Sequence, residues 1–571
     1  MKRLTTLLSG LLCTTMMVMA VPAKPGIMRL TQPDGSVVEA TIVGDEHFHY
    51  YETPAGEILL RDNTGTLRPA VLSTDGTLEA RGMITGKATP AAERSLIFKA
   101  IAEQSEKNAD RQPSRVAPNP IQPKFPTTGT VTGLILLVEY QDVKLTPQAT
   151  LEHYEQICNQ AGYQSEATHG SVLDYFTSQS NGLFTPHFDV FGPLTLPRER
   201  AYYGMADNGL VNQFRDACLV ADEMGLDFSK YDINEDGFVD FLFIVFAGHG
   251  EAQGGPYESV WPAMMDLSDH VFDYFDGLNL GVAACSCELK GGSGTNLDGV
   301  GTICHEFSHI LGLADIYDTS KQGGHGMCHY DIMDIGTYND DQVTPSGYTA
   351  MDKYTLGWLE PMALDSPIEN VTLRPFNETH DAAFIVNPAN PDEYYTLENR
   401  QQQGWDKGIP GHGLVVTYCN YDKKLWNRNI VNAVAAGYEH VCIVAADNVW
   451  MNSMSDEAGD PFPGTMQNTA LSATTVPAAF WKSSGSAVPV EWAISNIRET
   501  SDGNITFDFS TTAGVGTIAD EDMGVRVEGN SIIAPEGSEI YDIAGRRTSA
   551  RYLPEGIYIV TTAQGAVKVK I

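Results

Sequence analysis

The chain is predicted to be multidomain: a central α+β domain, preceded by a small β-patterned unit, followed by a β-sandwich-like domain, and ending in a short β module. Three observations carry this prediction. A length of 571 residues exceeds what one hydrophobic core organises. Two stretches, around 111–120 and 510–522, are polar and aperiodic and read as linkers, the first of them rich in Pro. Between them the pattern changes near residue 365, from mixed helical and buried-strand runs to short alternating segments broken by Gly, Pro, Asn and Asp. The boundaries drawn on this basis are 1–23, 24–115, a linker at 116–128, 129–364, 365–510, a linker at 511–523, and 524–571.

Composition narrows the function classes. With 36 Lys and Arg against 73 Asp and Glu, the formal charge is -37, which argues against a nucleic-acid partner. Lys2 and Arg3 precede an apolar run over 7–21, and Ala20 or Ala23 ends an A-x-A-like site, so 1–23 reads as a secretory signal peptide. No later run is apolar for about 18 residues, so no membrane span is expected. Eight of the nine cysteines lie beyond the signal, an even number that permits disulfides in an exported chain without revealing their pairing. Cys304 and Cys328 are candidates to tie the central domain together, with buried free thiols as the alternative.

In order, residues 24–115 show short alternating segments punctuated by Gly35, Gly44, Gly56 and Gly65, then a helical stretch at 91–108. Arg111, Arg115 and Lys124 offer processing points. Asp45, His47 and His49 could plug a metal site, but they read as part of a surface hairpin. Residues 134–140 are a buried strand, 171–178 a helix capped by Ser171, and 211–224 an amphipathic helix. Asp232, Asn234, Asp236, the carbonyl of Phe238 and Asp240 alternate as in the first half of a calcium loop, with Gly237 after the third. Phe243 stands where the usual closing glutamate would be, so the loop enters a strand rather than completing an EF-hand. Residues 278–289 read as a strand able to carry a peptide by β-addition.

The chemistry concentrates in Cys304-His305-Glu306-Phe307-Ser308-His309-Ile310-Leu311-Gly312-Leu313-Ala314-Asp315. On a helix, His305 and His309 project from one face and can grip one zinc ion. Glu306 lies about 100° round, near the metal without binding it, where a general base for an attacking water belongs. Gly312 permits a sharp turn that returns Asp315 as a third ligand, and a fourth position stays open, as catalytic zinc requires. Downstream, Met333 in Tyr330-Asp331-Ile332-Met333-Asp334-Ile335-Gly336 reads as a soft apolar floor beneath the metal. Together these residues predict a metzincin-like zinc endopeptidase acting on protein or peptide substrates. A unit detachable at 111–124 reads as a pro-segment, so a latent precursor is expected. Tyr338 and Tyr348 are both candidates to stabilise an oxyanion. Two rivals remain: a surface adhesin with an inert zinc motif, and a protease whose third ligand is a distant glutamate.

The H-E-F-S-H-I-L-G-L-A-D-I-Y-D run with Y-D-I-M-D-I-G resembles the immune-inhibitor-A-type family of secreted bacterial metalloproteases. The strand at 133–142, the S-V-L-D-Y-F-T-S-Q-S-N-G stretch at 171–182, the 232–250 loop and strand, Leu356-Gly357-Trp358 and 394–413 support the resemblance, which spans about 129–420. The resemblance implies that His305, His309 and Asp315 hold zinc, that Glu306 is the general base and that Met333 forms the Met-turn. Tyr418 departs from it, standing where relatives often carry histidine. Residues 554–560, Pro-Glu-Gly-Ile-Tyr-Ile-Val, are similar to sorting domains of the type IX secretion system, which implies a secretion-machinery partner and an extracellular or surface location; a monomer is expected.

Overall fold

The structure, a computed structural model, describes residues 18–570 apart from 46–47, 74–75, 111–124, 207, 320–323, 435–436, 450–453, 483–484, 512–524, 529–530, 536, 543–546, 549–556 and 563–564. His47, the processing points Arg111, Arg115 and Lys124, most of both linkers and the 554–556 part of the sorting-like ending therefore lie outside the described residues. The chain divides into two compact units: residues 1–363, 372–469 and 498–506 form one, and 364–371, 470–497 and 507–571 the other.

The first unit is centred on a six-stranded sheet. Its strands run, in spatial order, Val18–Ala20, Ala263–Asp266, Val282–Leu289, Leu242–His249, Gly129–Glu139 and Phe184–Thr195. The last four are mutually parallel, whereas Ala263–Asp266 is antiparallel to Val282–Leu289. Parallel strands need both faces covered, which is why Leu242–His249 reads as an unbroken apolar run. The alternation of side chains divides it between two cores. Ile135, Leu137, Phe243 and Val245 face the cluster containing Cys304 and Phe307 of the helix Val300–Ile310. Leu134, Leu136, Ile244 and Phe246 face Phe214, Ala217 and Cys218 of the helix Gly209–Glu223. Each such side chain contributes about 1.5–3 kcal/mol when fully buried. The register Leu242↔Leu134 and Phe243↔Ile135 keeps both faces aligned, because a one-residue slip would exchange them.

Helix Val172–Gln179 starts with a capping box in which Ser171 and Asp174 satisfy each other's backbone amides. The N-terminal residues form a sequential antiparallel meander, Met28–Thr31, Val37–Gly44, His49–Glu52, Ile58–Arg61, Leu67–Leu72 and Leu78–Ala80, followed by the helix Ala91–Asp110. Also in this unit is a five-stranded sheet of Met362–Ala363, Ala382–Asn387, Asn390–Arg400, Gly413–Asn420 and Val441–Ile443. The stretch 372–469 thus clusters with the residues before 363.

In the second unit, Leu471–Ser472, Trp492–Glu499, Ile505–Thr511 and Ile368–Leu373 contribute to a four-stranded sheet. The C-terminal residues form the hairpin Arg526–Glu528 with Ser531–Ile533, and a second sheet that includes Glu539–Asp542, Ile557–Thr562 and Gly565–Lys570. Among the described residues no helix is long and apolar enough to cross a membrane.

Two expectations need correcting. The eight cysteines beyond the signal are buried thiols, and Cys304 is not bonded to Cys328, so the pair does not tie the domain together. Burial raises the thiols of Cys158, Cys218, Cys285, Cys287, Cys304, Cys328 and Cys419, keeping them neutral. The strand ending at Leu289 is not a rim: it lies inside the sheet, and Ala263–Asp266 is the strand that accepts an added chain.

Candidate metal centre and its cleft

Helix Val300–Ile310 is buried along its whole length. It can press so closely on the segment after Met333 because Gly301 carries no side chain: a Cβ there would meet the Thr337 carbonyl at 2.2 Å. The helix ends where Gly312 takes φ +101°, a left-handed value that turns the chain back and delivers Asp315 to the helix face.

The two imidazoles are oriented from behind. His305 Nδ1 lies 2.6 Å from the Ile332 carbonyl and His309 Nδ1 2.9 Å from that of Leu313. A carbonyl only accepts, so both Nδ1 atoms carry the proton and both Nε2 lone pairs point into the site. Asp315 is held by Asn429, whose amide nitrogen donates to Oδ2 at 2.5 Å and whose oxygen accepts from the Asp315 amide at 2.7 Å. This leaves Asp315 Oδ1 facing the imidazoles, 3.2 Å from His305 Nε2 and 3.4 Å from His309 Nε2.

These three atoms, with Glu306 Oε2, are buried and have no hydrogen-bond partner. Ligands about 2.0–2.2 Å from a tetrahedral ion stand about 3.3–3.6 Å apart, close to both imidazole–carboxylate spacings here, and all three ligand atoms lie within 4.8 Å of one another. Among the described residues, His305, His309 and Asp315 are the one group of three or more His, Cys, Asp or Glu placed to hold a metal ion. Burial lowers the pKa of His305, with His309 adding to the effect and Asp315 opposing it. Burial disfavours charge on Asp315 too, yet the two imidazoles hold its carboxyl below the usual range. Burial, then Asp315, pushes Glu306 well up. Neutral nitrogens beside an ionised carboxylate are what a zinc-type cation takes.

Met333 is buried in the same core, and its carbonyl accepts from the amide of Ile316, next to Asp315. The neighbouring Ile332 carbonyl is the one that orients His305, so the turn supports the centre from two sides. The structure separates the two tyrosines. Tyr348 hydrogen-bonds Ser308 inside the core behind the helix, whereas Tyr338 Oη donates to the Pro22 carbonyl at 2.8 Å in the cleft. Tyr418 is buried on Glu393 at 2.6 Å, away from the centre, in a structural role.

The cleft contains the chain's own N-terminal segment. Val18–Ala20 pairs antiparallel with Ala263–Asp266, and the Val21 amide donates to Glu306 Oε1 at 2.9 Å. Val21 and Ala23 share one hydrophobic cluster with Ile42, Tyr51 and Leu59 of the meander and with Trp261 and Tyr338 of the cleft wall. His49 stacks near Trp261, with ring centroids 5.0 Å apart, and its Nε2 lies 3.5 Å from Glu251 Oε1, so it meets the wall and not the centre. The sequence reading missed Val21 because it assigned 1–23 to a discarded leader. It missed Asn429 because 114 residues separate that side chain from Asp315 and no motif links them.

The Asp232–Asp240 loop folds on itself. Asp232 accepts from the amides of Asp236 and Gly237, and Asp240 from those of Ile233 and Asn234. Phe238 donates its amide to Asp236. Burial, with Asp236 and Asp232 nearby, pushes Asp240 up to about 6.

Residues 134–359 match a protein family described as immune inhibitor A peptidase M6, catalytic domain. The chain is 28% identical over 275 residues to immune inhibitor A of Bacillus thuringiensis subsp. alesti, covering 38% of each chain. It is 25% identical over 199 residues to the pre-pro-metalloprotease PrtV of Vibrio cholerae serotype O1, covering 29% of this chain and 21% of the relative. The chain thus spans well under half the length of these relatives.

Proposed function

Because residues 134–359 match the immune inhibitor A peptidase M6 catalytic domain, we propose that this chain is a member of that family, an exported, zinc-dependent endopeptidase made as a latent precursor. The observation that carries this reading is the set of bare Nε2, Nε2 and Oδ1 atoms at 3.2 and 3.4 Å, with the unpartnered Glu306 Oε2 beside them. His305, His309 and Asp315 would hold the metal in a metzincin-like arrangement over the Met333 turn. When bound, zinc supplies a Lewis acid that polarises a carbonyl and brings the pKa of water toward about 7.

The protein's own groups do the rest. The Ile332 and Leu313 carbonyls keep both histidines in the ligating tautomer. Asn429 keeps Asp315 aimed at them. Glu306 takes a proton from the attacking water and passes it to the leaving amine, a role its contact with a backbone amide in the cleft supports. Latency follows from residues 21–24, which a leader ending at Ala20 leaves on the chain, and from the meander that backs them: the Val21 amide sits on Glu306, and the meander closes over the wall formed by Trp261 and Tyr338. The Asp232–Asp240 loop is the proposed calcium site on its sequence pattern alone: its carboxylates accept the loop's own amides and do not converge as the zinc ligands do, and a cation would have to draw them together. The family relatives and the leader-like N-terminus support an extracellular location, and the C-terminal β module is the proposed handle for secretion machinery.

The test is proteolysis by the full chain after trypsin nicking at 111–124. Casein hydrolysis that a chelator abolishes and zinc restores is expected. A nicked chain with no chelator-sensitive activity sinks the reading.

A further inference from the structure

The chain segment in the cleft makes the contacts a substrate would need. A peptide bound by β-addition must be extended and must find a free edge strand. Here Ala20 pairs with Ala263 on the sheet's edge, and the ladder runs antiparallel. The next residue of that edge is Pro262, which has no N–H to offer. The donor that Pro262 lacks comes from its neighbour: Trp261 Nε1 reaches the Val21 carbonyl at 2.9 Å. One residue further, Tyr338 Oη holds the Pro22 carbonyl at 2.8 Å. The Lys24 amide then donates to the Ala252 carbonyl at 2.8 Å. Between the edge strand and these clamps, the Val21 nitrogen faces Glu306 Oε1 at 2.9 Å. A base that hands its proton to a leaving amine has to face that nitrogen.

Resting on the protease reading, we propose that residues 21–24 fill the half of the substrate groove beyond the scissile bond, in the substrate's own direction. The Ala20–Val21 bond then marks the cleavage position. Trp261 and Tyr338 are the substrate-binding side chains that grip the first two carbonyls after it. Recognition there is mostly through the backbone. The first residue after the bond is the exception: the Val21 side chain is fully enclosed, so the groove takes a medium-sized apolar residue at that point. Proline follows without loss, because its carbonyl and not its nitrogen is held. The substrate class is therefore an extended peptide with Val or a similar apolar residue after the cleaved bond.

The same contacts latch the precursor, which allows a test on the full chain. Val21→Asp buries a carboxylate in the apolar cluster of Ile42, Trp261 and Tyr338 and should raise chelator-sensitive peptide hydrolysis by the un-nicked chain at least tenfold. On that background, Tyr338→Phe and Trp261→Phe should each lower kcat/KM about 5- to 100-fold, mainly through KM, with Tm unchanged; a merely structural role would lower Tm and kcat. Independently of turnover, the peptide Val-Pro-Ala-Lys should quench tryptophan fluorescence in the Val21→Asp, Glu306→Gln chain, and Trp261→Phe should abolish the quenching. Trypsin-nicked wild type without chelator-sensitive activity overturns the protease reading and this inference with it. An active nicked wild type beside a silent Val21→Asp, or beside Tyr338→Phe and Trp261→Phe variants within twofold of their parent, overturns this inference alone.

Discussion

Two fully buried charge clusters lie in the same compact unit, and they are built to opposite rules. Around Arg400, every charge is answered. Its guanidinium donates to Asp406 through two nitrogens, to Glu398 at 2.8 Å and to the Gly347 carbonyl at 3.1 Å. The two carboxylates in turn accept the amides of Gly347 and Ala350. Around Asp315, the backs of the side chains are tied just as carefully, but the fronts are left bare and aimed at one another. An unpaired buried polar atom costs about 1–3 kcal/mol, so several together need a ligand to account for them. Burial alone therefore does not mark a functional site. What marks it is satisfied orientation combined with an unsatisfied face.

The comparison can be broken at four points, the largest effect first. Glu306→Ala should lower activity about 10²–10⁴-fold while metal content, read by elemental analysis, stays at the parent level; retained activity would remove Glu306 as the base. Arg400→Met should destabilise the chain by about 3–5 kcal/mol in denaturant unfolding, because Glu398 and Asp406 stay buried without their partner. Its zinc affinity should not change, and a matching loss of both would show that the two clusters are one. Asn429→Gly deletes the amide that holds Asp315 without straining the φ of 52° found there. Competition with a chelator should report about 10- to 100-fold weaker zinc binding.

The smallest effect concerns Lys353, buried beside the Arg400 network with Nζ 4.3 Å over the Phe376 ring. Burial first, then Arg400, brings its pKa down to about 7. Between pH 7 and the unfolded value near 10.4, the folded chain binds fewer protons than the unfolded one, so stability rises with pH across that window. The slope from this group is at most about 1.4 kcal/mol per pH unit between pH 7 and 9, and Lys353→Met should flatten it in urea midpoints.

Legibility followed sequence distance. His305, His309, Glu306, Gly312 and Asp315 lie on one turn of helix and one tight turn, where local geometry alone sets their relations. The Ser171 cap and the alternating meander were readable for the same reason. The edge strand was not: Ala263-Met264-Met265-Asp266 is short and adjoins Pro262, while the longer, more apolar 278–289 run drew the rim assignment although it lies inside the sheet. Cysteine number allowed disulfides, but only packing shows each of the eight as a buried thiol.

By itself the sequence determined which side chains share the candidate metal-binding face, because helix periodicity converts a spacing of four residues into one shared face. It also determined the apolar sheet strands and the punctuated meander before them. Tertiary structure alone decided which tyrosine faces the cleft, that Asn429 aims Asp315, and that Val21 rests on Glu306. Those contacts join residues up to 316 positions apart, and no local preference of the chain encodes such a pairing until the core has closed around it.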